Sequence, residues 1–135
     1  MMAKTHAWII DDDAIYTFTI KRLLEKNDLA HKIDVFNNGR DALEKLQLIN
    51  CVKDYPDIIL LDINMPVLDG WQFLDEFVHV ADRTSITLYM VSSSIDPRDK
   101  EKSKLYKDIN DFIIKPVSVK SLQNIMMVNS SENTD

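Results

Sequence analysis

Short apolar runs alternate along this chain with longer stretches in which apolar residues recur at helical spacing. Ala7-Trp8-Ile9-Ile10 is the first run, and Ala14–Lys26 after it carries Ile15, Phe18, Leu23 and Leu24 near a helical period. Ile33–Phe36 then reads as a strand, and Gly39–Leu48 as a helix with Ala42, Leu43 and Leu46 on one face. Ile58–Leu61 is wholly apolar, the mark of a central strand buried on both faces. Trp71–Val80 follows as a helix that groups Phe73, Leu74 and Phe77. Ile86–Val91 is a fourth strand, and Pro97–Tyr106 a polar helix whose proline suits the first turn. Phe112–Ile114 is a short fifth strand, and Val119–Val128 a closing helix with Leu122, Ile125 and Met126 inward.

Five such units in succession predict an α/β domain, a doubly wound parallel sheet of five strands with helices on both faces, because each crossover must be right-handed and cover the sheet. Residues 1–5 read as an N-terminal extension, 6–128 as the domain, and 129–135 as a polar, disordered tail. In sheets of this kind, ligands bind beyond the carboxyl ends of the strands. The residues that follow the strands are therefore where function is to be sought.

Composition narrows the chemistry. At 135 residues a single core suffices without disulfides, and the lone Cys51 could form no internal one. Only two glycines occur, so neither GxGxxG nor GxxxxGK[ST] is present and a nucleotide-binding loop is excluded. The formal charge of -6, with scattered Lys and Arg, argues against a nucleic-acid partner. No apolar run approaches the roughly 18 residues of a membrane helix, and no signal peptide precedes the first strand, which predicts a cytoplasmic protein with no membrane partner.

The excess acid is not evenly spread. Strand one is followed by Asp11-Asp12-Asp13, strand three by Asp62, strand four by Ser92-Ser93-Ser94, and strand five by Lys115-Pro116. Each has an ordinary alternative: Asp13 as a helix N-cap, the serines as a polar loop, Lys115 as a solvated lysine. Asp62 has the weakest one, since a charge following four apolar residues of a central strand is costly to desolvate. Clustered carboxylates repel, and with no His or Cys nearby their hard oxygens favour Mg²⁺ or Mn²⁺ as the cation that offsets them. A carboxylate, a metal, a lysine and a hydroxyl around one rim suit phosphoryl transfer, with Asp62 as the nucleophile that becomes an acyl phosphate. Pro116 is a candidate for a cis peptide bond.

These segments together resemble the receiver domain of two-component response regulators. The likeness rests on Ile9–Asp13, on Leu60-Leu61-Asp62-Ile63-Asn64-Met65-Pro66-Val67-Leu68-Asp69-Gly70, on Val91-Ser92-Ser93 and on Ile114-Lys115-Pro116. It covers about residues 6–128 and implies a flavodoxin-like fold with strand order 2-1-3-4-5. It implies Asp62 as phosphoacceptor, with a sensor histidine kinase or histidine phosphotransfer protein as donor. Mg²⁺ would be held by the side chains of Asp12 and Asp62 and the backbone carbonyl of Asn64, with Asp11 acting through a metal-bound water. Ser92 matches the switch hydroxyl, Lys115 its partner lysine, Ser93 the small residue beside them, and Asn64 and Ser94 positions that tune hydrolysis. Phe112 falls at the switch aromatic but lacks a hydroxyl, and Ile109-Asn110 stands where many receivers have Gly-Ala, in what reads as the turn before strand five.

The resemblance implies no enzyme beyond self-phosphorylation and self-dephosphorylation, and a downstream protein it does not identify. With no effector segment after the last helix, the chain reads as a free-standing receiver, or as one excised from a longer regulator. Three rivals compete. A flavin-binding module would want neutral donors where Asp11–Asp13 stand. A metal-dependent phosphatase of the haloacid-dehalogenase type would want a second Asp where Asn64 stands. A degenerate receiver serving only as an interaction surface would not need Asp12, Asp62, Ser92 and Lys115 intact.

Overall fold

The computed structural model describes residues 5–65, 68–80, 85–93 and 96–134. Five parallel strands, β1 (His6–Ile10), β2 (Lys32–Phe36), β3 (Ile58–Asp62), β4 (Thr87–Ser92) and β5 (Ile109–Ile114), form one sheet in the order β2-β1-β3-β4-β5. Between and after them run α1 (Ala14–Lys26), α2 (Gly39–Leu48), α3 (Gly70–Phe77), α4 (Pro97–Ser103) and α5 (Val119–Thr134), with a 3₁₀ turn at Val52–Asp54. The expected doubly wound, flavodoxin-like sheet is what the chain adopts.

Local chemistry fixes the helix starts. Asp13, Asn38, Asp69 and Asp96 each precede a helix in extended backbone and accept from amides of its first turn, satisfying donors that have no intrahelical partner. Asp69 and Gln72 bond reciprocally as a capping box. The core then forms on both sides of the sheet. Trp8, Ile59, Leu61, Met90 and the α2 and α3 residues Leu46, Phe73 and Phe77 pack on one face, and Ile9, Leu60, Val91 with Ile20, Leu24 and Leu122 on the other. Every residue of β3 is buried, as its unbroken apolar run requires.

Register brings the functional ends level. Ile10 pairs with Leu61, Asp62 with Val91, and Ser92 with Ile114. Asp11, Asp62, Ser92 and Lys115 therefore emerge along one edge of the sheet.

Four features differ from the sequence reading. On α1 the buried stripe is Thr17, Ile20 and Leu24, while Ile15 and Phe18 are 81% and 63% exposed. Burying Thr17 is cheap because its hydroxyl donates to the Ala14 carbonyl at 3.1 Å. Helix α4 stops at Ser103, and Tyr106 instead packs its ring on Trp71. Strand β5 begins at Ile109, so Ile109-Asn110 is no turn. Leu88 pairs with Ile109 and Tyr89 with Asp111, leaving Asn110 as the extra residue of a bulge. Among the described residues the one non-glycine with positive φ is Asp28, so Asn110 has no left-handed backbone. Lastly, the segment expected to be a disordered tail from Asn129 is helical through Thr134, there being neither proline nor glycine to interrupt the ladder.

Candidate functional site

The carboxyl rim is built by strand ends that cannot spread apart, because each is held by ladder bonds to its neighbours. Asp11 leaves β1 with its amide bonded to the Phe36 carbonyl at 3.0 Å, and its Oδ1 accepts from the Asp13 amide at 2.9 Å. Asp13 turns away to cap α1, accepting from the Ile15 and Tyr16 amides at 3.0 Å. Of the aspartate triplet, Asp11 and Asp12 thus face the rim, and Asp13 is the cap that its alternative reading describes.

One carboxylate oxygen from each of Asp11, Asp12 and Asp62 lies within 4.8 Å of the others. Asp11 and Asp62 are buried, and Asp12 is exposed at the mouth. The Lys115 ammonium enters from β5, with Nζ 2.8 Å from Asp11 Oδ2 and 3.8 Å from Asp62 Oδ1. Lys115 itself is anchored by its amide, which donates to the Ser92 carbonyl at 2.7 Å, and the peptide bond to Pro116 is cis, as the sequence reading allowed. Ser92 is buried at the end of β4, 1% exposed, beside Asp62 on the neighbouring strand.

Three carboxylates facing one ammonium leave two negative charges unbalanced in a largely buried site. Burial pushes the Asp62 carboxyl up to about 6, repulsion from Asp11 adds to this and Asp12 adds a little more, while Lys115 and the Asn64 amide hold it back. Asp11 Oδ2, though beside Lys115, lacks a well-directed hydrogen bond. A hard divalent cation fits this set on charge, on donor type and on the spacing of the oxygens.

Other residues singled out in the sequence lie around this centre. Asn64 is exposed just past β3, Ser93 is exposed past β4, and Pro116 is exposed. Phe112 is half-buried against the core face that includes Met90. Ser94 lies outside the described residues. The loop from Asp62 to α3 closes where the Gly70 amide donates to the Ile63 carbonyl at 2.8 Å. Trp71, next in the chain, donates from Nε1 to Asp99 Oδ1 at 3.3 Å, lies under the Lys102 ammonium, and so ties the start of α3 to α4.

Sequence reasoning missed Tyr16. Its ring lies under the Lys115 ammonium, 4.1 Å from centroid to Nζ, and its buried hydroxyl has no hydrogen-bond partner. Burial, and then Asp11, Asp62 and Asp13, raise its phenol above the ordinary range. The available signal was its place in the first turn of α1, directly after the Asp13 cap. The larger described cavity, about 820 Å³, opens at the other end of the sheet beside His6, Asp34 and Asp57 and contains none of these residues.

A family model described as the response regulator receiver domain matches residues 7–127. A protein-glutamate methylesterase/protein-glutamine glutaminase of Methanospirillum hungatei is 28% identical over 117 residues, 87% of this chain and 32% of that protein. The chain thus spans about a third of the length of such curated relatives, 32% and 30% in two of them. The crystal structure of a two-component response regulator from Cytophaga hutchinsonii superposes with a TM-score of 0.86 at 26% identity, covering 96% of this chain and 99% of that one. The receiver domain of the sensor histidine kinase PA1611 from Pseudomonas aeruginosa, described with a magnesium ion coordinated in its active site cleft, shares the fold with a TM-score of 0.76 at 21% identity, over 93% of this chain and 97% of that one. Among the described residues no helix is long and apolar enough to cross a membrane.

Proposed function

We propose, from the premise that this chain belongs to the response regulator receiver domain family, that Asp62 is the phosphoacceptor of a two-component phosphorelay and that Asp11, Asp12, Asp62 and Asn64 hold its Mg²⁺. The observation that carries this reading is the convergence of Asp11, Asp12 and Asp62 within 4.8 Å, with Lys115 Nζ 3.8 Å from Asp62. The magnesium named for the Pseudomonas receiver supports the same cation here. When bound, Mg²⁺ supplies positive charge against the carboxylates and against the oxygens of an incoming phosphoryl group.

The residues divide the work. Asp62, with its pKa near 6, is ionised at neutral pH and available as a nucleophile. Its oxygen bonds to phosphorus as the bond from phosphorus to the donor's imidazole nitrogen breaks, and the donor is a sensor histidine kinase or histidine phosphotransfer protein. Lys115 pairs with one phosphoryl oxygen, and the Ser92 hydroxyl donates to another. Ser93 leaves room beside it, Asn64 and Ser94 tune how fast the acyl phosphate hydrolyses, and Pro116 shapes the turn that presents Lys115. The added charge of about two units draws Ser92 and Lys115 inward. That shift biases the α4–β5 surface, with Phe112 following by packing alone, toward a downstream protein. The domain spans residues 6–128 and acts in the cytoplasm, with no turnover beyond its own phosphorylation and dephosphorylation.

Incubation with acetyl phosphate and Mg²⁺ is expected to add one phosphoryl group, mapped to Asp62 by peptide mass, and EDTA is expected to prevent it. Labelling at another residue, or none with Mg²⁺ present, would overturn the reading. The metal is tested separately through tryptophan emission, because Trp71 is buried next to the loop that leaves Asp62. A Mg²⁺ titration should change wild-type fluorescence saturably and leave Asp12→Ala flat. An unchanged titration in that variant removes Asp12 from the site.

A further inference from the structure

Lys115 is held by more than charge. Its ammonium sits 2.8 Å from Asp11, 3.8 Å from Asp62 and 4.1 Å from the centroid of the Tyr16 ring. The first of these contacts is not secure, because Asp11 is also a metal-site carboxylate and lacks a well-directed hydrogen bond to the ammonium. The ring, unlike Asp11, is not one of the metal-site groups. An aromatic face attracts a cation through its quadrupole, and the attraction grows as water is excluded; the Lys115 side chain is 17% exposed.

The Tyr16 hydroxyl, buried and without a partner, does not anchor the ring through a hydrogen bond. The ring's orientation therefore comes from the backbone and from packing. The backbone is fixed, since the Tyr16 amide donates at 3.0 Å to the Asp13 cap. The ring also packs against the core face that holds Ile9, Leu60 and Val91.

We propose that Tyr16 is a positioning residue, whose ring holds the Lys115 ammonium in place for the phosphoryl group on Asp62 once Asp11 is engaged by the metal. The inference rests on the reading of Asp62 as phosphoacceptor. It is the aromatic face that acts, through Lys115, and the hydroxyl is dispensable.

The test compares Tyr16→Phe and Tyr16→Leu in acetyl phosphate labelling with Mg²⁺, with Asp62→Asn as control. Tyr16→Leu should lower the labelling rate about tenfold, the scale of a desolvated cation–π contact, and Tyr16→Phe should stay within about twofold of wild type. In a Lys115→Met background, Tyr16→Leu should cause no further loss, since two residues acting through one contact are not additive. Proton NMR gives a reading independent of activity: the Lys115 ε-methylene should be ring-current shifted upfield in wild type and Tyr16→Phe, and not in Tyr16→Leu. Wild-type labelling in Tyr16→Leu, an equal loss in Tyr16→Phe, or an unshifted ε-methylene in wild type would each overturn the proposal. Labelling of Asp62→Asn would instead overturn the phosphoacceptor reading beneath it.

Discussion

Asp62→Asn is expected to abolish phosphoryl labelling and, in the absence of Mg²⁺, to raise the thermal midpoint at neutral pH. The first effect follows from chemistry, since an amide oxygen is a poor nucleophile toward phosphorus. The second follows from electrostatics. The Asp62 carboxyl moves from 3.8 to about 6 on folding, chiefly through burial and next through Asp11. A carboxyl raised in this way binds its proton more tightly in the folded state, so ionising it costs stability. The cost is absent below about pH 4, grows between pH 4 and 6, and is complete above. Asparagine carries no charge and escapes it. At about 1.4 kcal/mol per pKa unit the ceiling is near 3 kcal/mol, and screening at the rim reduces the expected gain to about 1–2 kcal/mol. That corresponds to roughly 4–8 °C for a domain of this size. Thermal melts of both proteins from pH 4 to pH 8 check it, and a gap that did not widen with pH would show the site is not strained by charge. Saturating Mg²⁺ should narrow the gap by stabilising the folded wild type.

Gly70→Ala is expected to be among the most damaging single-atom changes in the molecule. Helix propensity alone predicts a gain of up to about 1 kcal/mol, because Gly70 opens α3 and alanine is the better helix former. Space predicts the reverse. A Cβ at Gly70 would lie 2.7 Å from the Asp62 carbonyl oxygen and 2.9 Å from the Ile63 Cα. Both are backbone atoms, so relief requires moving the end of β3, and with it the Asp62 side chain. The expected loss is about 3 kcal/mol, at the upper end for overpacking a tight contact, with a fall in phosphoryl labelling. Gly39→Ala provides the contrast. Its nearest neighbour, Leu68 Cδ2 at 3.1 Å, belongs to a side chain that can shift, and a loss near 1 kcal/mol is expected. Urea unfolding of the three proteins decides between the arguments: a Gly70→Ala protein as stable as wild type would mean that the β3–α3 junction has slack.

Much of the fold was legible because its signals are local. The apolar run of Ile58–Leu61 has one comfortable home, a strand covered on both faces, and all of β3 is buried. Asp13, whose ordinary alternative was a helix N-cap, does cap α1, by chemistry that needs no distant partner. What failed was what depends on distant neighbours. Ile15 and Phe18 have helical spacing with Leu23 and Leu24, yet the sheet takes the adjacent stripe of Thr17, Ile20 and Leu24. Asn110 looks like a turn residue, and β4 draws it into a strand as a bulge.

The site divides along the same line. Asp11, Asp12, Asp62, Ser92 and Lys115 could be named from sequence because each lies at or just past the end of a strand, and strand ends in a parallel sheet must share one edge. The sequence by itself determined which residues stand on that edge and the sign of the charge they bring. Only the tertiary structure decided the distances: Lys115 between Asp11 and Asp62, Asp13 turned away into a cap, the Gly70 backbone pressed under Asp62, and the Tyr16 ring beneath the ammonium. The physical reason is reach. Capping and strand burial are settled within a few residues, whereas a cation–π contact between residues 16 and 115 exists only after α1 and β5 have been set on either side of the same site.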